Sequence, residues 1–129
     1  FRDLFVTFGL PQAIGMSAIA GLCDPVDRQT PEGRHIRLSP DAPRQLLAPI
    51  APGLIDRLGI AGVARMAPGR AHAPSIPAGS LAFDGERELT FTESDQVSVR
   101  LVPDAFRTID VPACMAHAAA AGLFIRNPD

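Results

Sequence analysis

The clearest pattern along the chain is the parity of apolar positions across residues 79–102. Leu81, Phe83, Leu89, Phe91, Val97, Val99 and Leu101 all fall on odd numbers. Side chains alternate between faces in an extended chain, so each short run presents one apolar face, and the stretch predicts a β-meander around which the rest is organised. Asp84-Gly85 separates the first two runs and suits a tight hairpin, because Gly takes positive φ freely and Asp tolerates the left-handed region. Glu86 and Arg87 follow at the tip of that hairpin.

Upstream, residues 1–10 carry Leu4, Phe5 and Phe8 at helical spacing but are closed by Gly9 and Pro11, a pattern that fits helix and strand equally. Residues 14–21 predict a loop feeding a short helix, capped by Ser17 and ended by Gly21. Residues 24–43, rich in Pro, Asp, Arg and Gly, predict an irregular exposed excursion with one strand at 35–38. Residues 46–53 read as a strand. Pro49 and Pro52 donate no ladder hydrogen bond, so they place it at a sheet edge or mark its exit. Residues 60–66 predict the next strand, 67–78 a Pro-rich connection without a core pattern, and 106–109 a short strand after a turn at Pro103-Asp104. A C-terminal helix then has both a start and a stop. Asp110 is its N-cap, Pro112 is tolerated in the first turn, Val111, Met115, Ala118 and Ala119 form an apolar stripe, and Gly122 with Leu123 closes it. The predicted class is α+β and β-rich, with a meander-containing sheet or β-sandwich and a C-terminal helix.

The 129 residues are long enough for one domain, residues 1–129, with a core that needs no disulfide. A first residue of Phe rather than Met points to a piece of a longer chain. Twelve Arg, no Lys and 14 acidic residues give a net charge of −2 without a block of like charge, so neither a nucleic-acid groove nor a polybasic membrane patch is expected. No apolar run reaches the ~18 residues of a membrane helix, and the expected setting is the cytoplasm. Cys23 and Cys114 are far apart and read as buried small hydrophobes rather than a redox or zinc pair.

Direct signals of chemistry are few. Gly15-x-Ser17 lacks the second glycine of a nucleophile elbow, since Ile19 stands in its place. His35, His72 and His117 have no ligand spacing, so no metal site is expected and each reads as exposed or at the edge of the core. Arg34 or Arg87 has the geometry to hold a phosphate bidentately. Asp84-Gly85-Glu86, read from composition alone, is a turn with a solvated charge pairing with Arg87 or Arg100.

Three segments together resemble one family. Gly15-Met16-Ser17-Ala18-Ile19 is similar to the Gly-Ser-Thr-Ala-Tyr segment of ATP-NAD kinases, and Leu47-Ala48-Pro49-Ile50-Ala51-Pro52-Gly53 to their Leu-Thr-Pro-Ile-Cys-Pro-His segment. Phe83-Asp84-Gly85-Glu86, followed by Asp95-Gln96-Val97-Ser98-Val99, resembles their late hairpin and Gly-Asp-x-Val strand. Within that superfamily the chain looks most like the acetoin-catabolism protein X branch, over roughly residues 11–125. The resemblance implies the C-terminal β-domain of a two-domain enzyme, the N-terminal α/β domain with its Gly-Gly-Asp-Gly loop lying outside this sequence. It implies ATP-dependent phosphorylation of NAD to NADP with a divalent cation (Mg), and a chain that is inactive alone. Gly15, Ser17, Ala18, Ile19, Pro52 and Gly53 would line the nucleotide site, with Glu86 and Asp84 as candidate catalytic residues. Ile19 in place of Tyr and Gly53 in place of His depart from the pattern and remove expected stacking and polar contacts. The implied partners are NAD or a related nucleotide, the N-terminal domain, and further copies of the chain through exposed edge strands. A non-catalytic nucleotide-binding or protein-interaction domain is the alternative.

Overall fold

The computed structural model describes residues 1–83 and 87–126. Its main layer is a four-stranded antiparallel sheet in the order β1-β2-β4-β3. β1 spans Asp3–Val6, β2 Gly33–Leu38, β3 Gln45–Ala51 and β4 Leu54–Met66. α1, Met16–Cys23, packs one side of this sheet. Leu4, Ile36, Leu38, Ala48 and Ile60 from the strands meet Ile19 and Ala20 from the helix in one buried cluster. Ile36, with none of its surface exposed, is the largest side chain fully enclosed there.

The ambiguous N-terminal run is therefore a strand, and residues 46–53 form the predicted edge strand. Pro49 sits opposite Ile55 on the outermost strand, where its missing N–H breaks no central ladder. Pro52-Gly53 turns the chain from β3 into β4, with Gly53 at φ 73°. β4 is longer than the run at 60–66 suggested, because its first residues pair with β3 and its last with β2.

Residues 24–43 are not an exposed excursion throughout. β2 lies inside the sheet, and Gly33, Arg34, His35, Ile36 and Leu38 are all buried. Its polar residues mask its centrality in the sequence, because their partners come from distant segments. In α1 the cap is Gly15, not Ser17. Gly21 lies inside the helix, where the backbone of Leu10 and Pro11 leaves no room for a side chain.

The later part of the chain is smaller in each element. β5, Ala71–His72, lies within the Pro-rich connection and pairs with β8, Val99–Arg100. β6, Gly79–Phe83, and β7, Arg87–Phe91, form the expected hairpin, with Leu81 opposite Leu89. The residues expected at its turn, Asp84, Gly85 and Glu86, lie outside the described residues. The third run of the expected meander leaves the hairpin and joins β5 instead. Parity alone does not say which neighbour a strand takes, and the odd-numbered face is buried only at Phe91, while Leu89 is 61% exposed. The organising layer is the β1-β2-β4-β3 sheet with α1. No strand forms at 106–109.

α2, Val111–Ala120, starts and stops as predicted. The Asp110 carboxylate accepts from the Ala113 N–H at 3.0 Å, Gly122 N–H donates to the Ala119 carbonyl at 3.0 Å, and Leu123 N–H donates to the Ala118 carbonyl at 3.0 Å. That pair of bonds is a Schellman closure. None of the helix residues is buried, and of its apolar stripe only Ala118 is half-buried. The observed class is α+β and β-rich. No described helix is long and apolar enough to cross a membrane.

Candidate functional site

The two N-terminal segments of interest, far apart in sequence, meet at the start of α1. Gly15 sits at φ 75°, ψ −143°, a backbone conformation open essentially to glycine. It turns the incoming loop so that its N–H donates to the Pro49 carbonyl on β3 at 2.8 Å, while its own carbonyl accepts from Ile19 N–H at 3.1 Å. Pro49 thereby has its outward carbonyl occupied, which shields this part of the sheet edge.

With glycine as N-cap there is no side-chain cap on α1. The N–H groups of Met16, Ser17 and Ala18 find no acceptor among the described residues. First-turn N–H groups aligned with the helix dipole favour an anionic group. Ser17 is half-buried, and its Oγ accepts from the Leu10 N–H at 3.2 Å while its carbonyl accepts from the same N–H at 3.1 Å. Its hydroxyl proton remains free to donate.

The other sequence-derived positions divide. Ala18 and Ile19 are 0% and 2% exposed, with Ile19 in the core cluster, so only their backbones border this surface. Pro52 and Gly53 are exposed at the β3–β4 turn, roughly 10 Å along the strand from Pro49 at the usual rise per residue. Asp84 and Glu86 lie outside the described residues. Among the described residues no group of three His, Cys, Asp or Glu side chains is arranged to hold a metal ion.

Arg34 is not available to a phosphate. It is 3% exposed and spends its donors internally, on Asp24 Oδ2 at 2.9 Å, Glu32 Oε2 at 3.1 Å and the carbonyls of Asp24, Pro25 and Gly33. Arg65 joins the same Asp24 carboxylate at 3.1 Å, which holds its guanidinium above its ordinary value. Arg87 lies 5.9 Å over the Phe83 ring. Cys23 is half-buried, and burial pushes its thiol up, whereas Cys114 is exposed on α2 rather than buried.

A second polar centre had no sequence signal. On the sheet face away from α1, Asp3 Oδ1 is 2.7 Å from His35 Nε2, and Asp3 Oδ2 accepts from Ser75 Oγ at 2.6 Å and Ser75 N–H at 2.9 Å. Burial pushes the Asp3 carboxyl upward, but the hydrogen bonds from Ser75 and His35 outweigh it and hold the group below 3.8. His35 is buried rather than marginal. It stacks on Phe5 with centroids 4.1 Å apart, and His72 meets it edge-on at 6.2 Å. His72 Nε2 is buried without a hydrogen-bond partner among the described residues. Only the pairing register places Asp3 beside His35, and Ser75 is 72 residues away, so no local pattern reveals the cluster.

Comparison with known proteins matches residues 1–104 to the acetoin catabolism protein X C-terminal domain family. The chain is 47% identical over 117 residues to "Acetoin catabolism protein X" of Cupriavidus necator, a match covering 89% of this chain and 33% of that protein. It therefore spans about a third of the length of that curated relative. No solved structure matches it significantly.

Proposed function

The chain belongs to the family of acetoin catabolism protein X C-terminal domains, and from that premise we propose that it is the substrate-side half of an ATP-NAD kinase-like protein. In the intact protein it contributes dinucleotide contacts to ATP-dependent phosphorylation of NAD to NADP. The observation that carries this reading is the 2.8 Å bond from Gly15 N–H to the Pro49 carbonyl. It joins the two segments that resemble the kinase motifs and leaves three first-turn N–H groups of α1 without an acceptor beside them. A dinucleotide phosphate suits those donors, Ser17 adds a hydroxyl in the same turn, and Pro52-Gly53 forms the rim.

Phosphoryl transfer requires the donor phosphates and metal in line with the attacking hydroxyl. The described residues do not fit a metal, so the metal and ATP contacts are assigned to the remainder of the intact protein and no step is derived through them. Glu86 keeps the role that the resemblance gives it, an acid/base or metal-organising residue, with Asp84 as a further candidate catalytic residue. The isolated chain is accordingly expected to be inactive. NADP formation by this chain alone, with ATP and Mg supplied, would refute the division of labour.

The second reading is a non-catalytic interaction domain. It is favoured by the outer sheet face, where Leu47 and Ile55 are 61% and 68% exposed, and by an α2 that buries nothing. Glu86→Gln in an intact protein carrying this domain separates the two, since a binding module keeps its function and a kinase loses turnover.

A further inference from the structure

We infer that the Asp3 carboxylate is a clasp that fastens residues 67–83 and 87–126 onto the sheet of residues 1–66, and that this clasp opens while both parts stay folded. Among the described residues, every ladder pair, ion pair and other hydrogen bond falls within one part or the other. The exceptions are the two hydrogen bonds that Ser75 donates to Asp3. The two parts also line a shared cleft of about 480 Å³, with Phe8 and Arg28 on one wall and Leu101 and Phe106 on the other. Opening the clasp would widen that cleft and uncover the Phe5–His35 stack.

Opposing contributions meet within the clasp. Closure gains two hydrogen bonds to a carboxylate, each stronger than a neutral pair, and an edge contact between His72 and His35. It also strips water from His72 Nε2 and gives that atom no partner, a loss that opposes closure. Asp3 remains anchored to His35 on its own sheet whether Ser75 is bound or not, so the carboxylate is held ready for reclosure. The joint is thus a strap with two hydrogen bonds to one carboxylate set against one orphaned polar atom.

Opposite effects of two substitutions test this. Hydrogen exchange is followed by mass spectrometry on the full chain and on the D3N, S75A and H72F variants. Exchange across residues 70–78 is expected to quicken about tenfold in S75A and D3N, as a charge-assisted bond is lost, while β2 and β4 keep their rates. H72F removes the orphaned nitrogen and should slow exchange of the same segment. Unchanged exchange of residues 70–78 in S75A overturns the inference, as does acceleration of β2 and β4 in step with them, and so does faster exchange in H72F. Ser75 is exposed, so S75A and H72F keep the test decisive if D3N does not fold.

Discussion

Gly21→Ala sets two effects of opposite sign against each other inside α1. Helix propensity alone makes alanine better than glycine by about 1 kcal/mol. The packing says otherwise. A Cβ on Gly21 would stand 2.5 Å from the Pro11 nitrogen and 2.7 Å from the Leu10 nitrogen, against an optimum of roughly 3.5–4.0 Å between carbon atoms. Those atoms are backbone and cannot rotate away, so helix and loop must part by roughly 1 Å. Overpacking of this kind costs about 1–3 kcal/mol, and parting also stretches the bonds from Leu10 N–H to Ser17. The net expectation is a loss of about 1–2 kcal/mol, or a fall of roughly 3–10 °C in Tm for a chain of this size. Thermal melts and urea titrations followed by far-ultraviolet circular dichroism measure it. A variant as stable as the parent, or more stable, would mean that the helix does not lie against residues 9–11 as described.

Three further outcomes follow from the same packing. Ile36→Ala should destabilise by about 2–5 kcal/mol, because the side chain is fully enclosed in the sheet–helix core, and a loss under 1 kcal/mol would move the core elsewhere. Asp110→Ala should fray α2 by about 1 kcal/mol of cap energy while leaving the urea midpoint of the sheet unchanged, since the helix buries nothing among the described residues. Asp3 makes stability depend on pH in the acid range. Its carboxyl is held below 3.8 in the fold, so its contribution is complete above that value and is lost as pH falls through the lower folded value. The ionisable groups facing it are His35 and, opposite in register, Arg37 on β2, with His72 facing His35 from β5. D3N removes this carboxylate, so the stability gap between the parent and D3N should close on acidification. A gap that persists well below pH 3.8 would contradict the Asp3 hydrogen bonds.

Local chemistry was legible where a residue acts on its own neighbours. Pro49 and Pro52 marked an edge and an exit, Asp110 a cap, and Gly122 with Leu123 a Schellman closure, each because the signal and the structure it causes lie within a few residues. The pairing of β6 with β7 was legible for the same reason. β2 was legible as a strand at 35–38, but its buried, central place was not, because Arg34 and His35 look solvent-seeking until Asp24, Glu32 and Asp3 arrive to satisfy them. Parity at Val97, Val99 and Leu101 reported an extended chain but not its partner, so the meander was one strand too long. At the candidate site the motif segments named Gly15 and Pro49 without their contact, which depends on α1 lying against β3. Ala18 and Ile19 carried the same motif weight as Gly15, yet burial assigns their side chains to the core. The Asp3–Ser75 link had no local signal at all.

The central claim is that the start of α1 is the dinucleotide contact of this domain. The most direct measurement is calorimetric titration of NAD into an intact protein carrying it, with and without Gly15→Ala, both checked for folding by circular dichroism. At φ 75°, ψ −143° an alanine forces the first turn of α1 out of place at a cost of about 1–3 kcal/mol, so the variant should bind NAD about tenfold more weakly or worse. Equal affinity in the two proteins, or no NAD binding by the parent, would contradict the account.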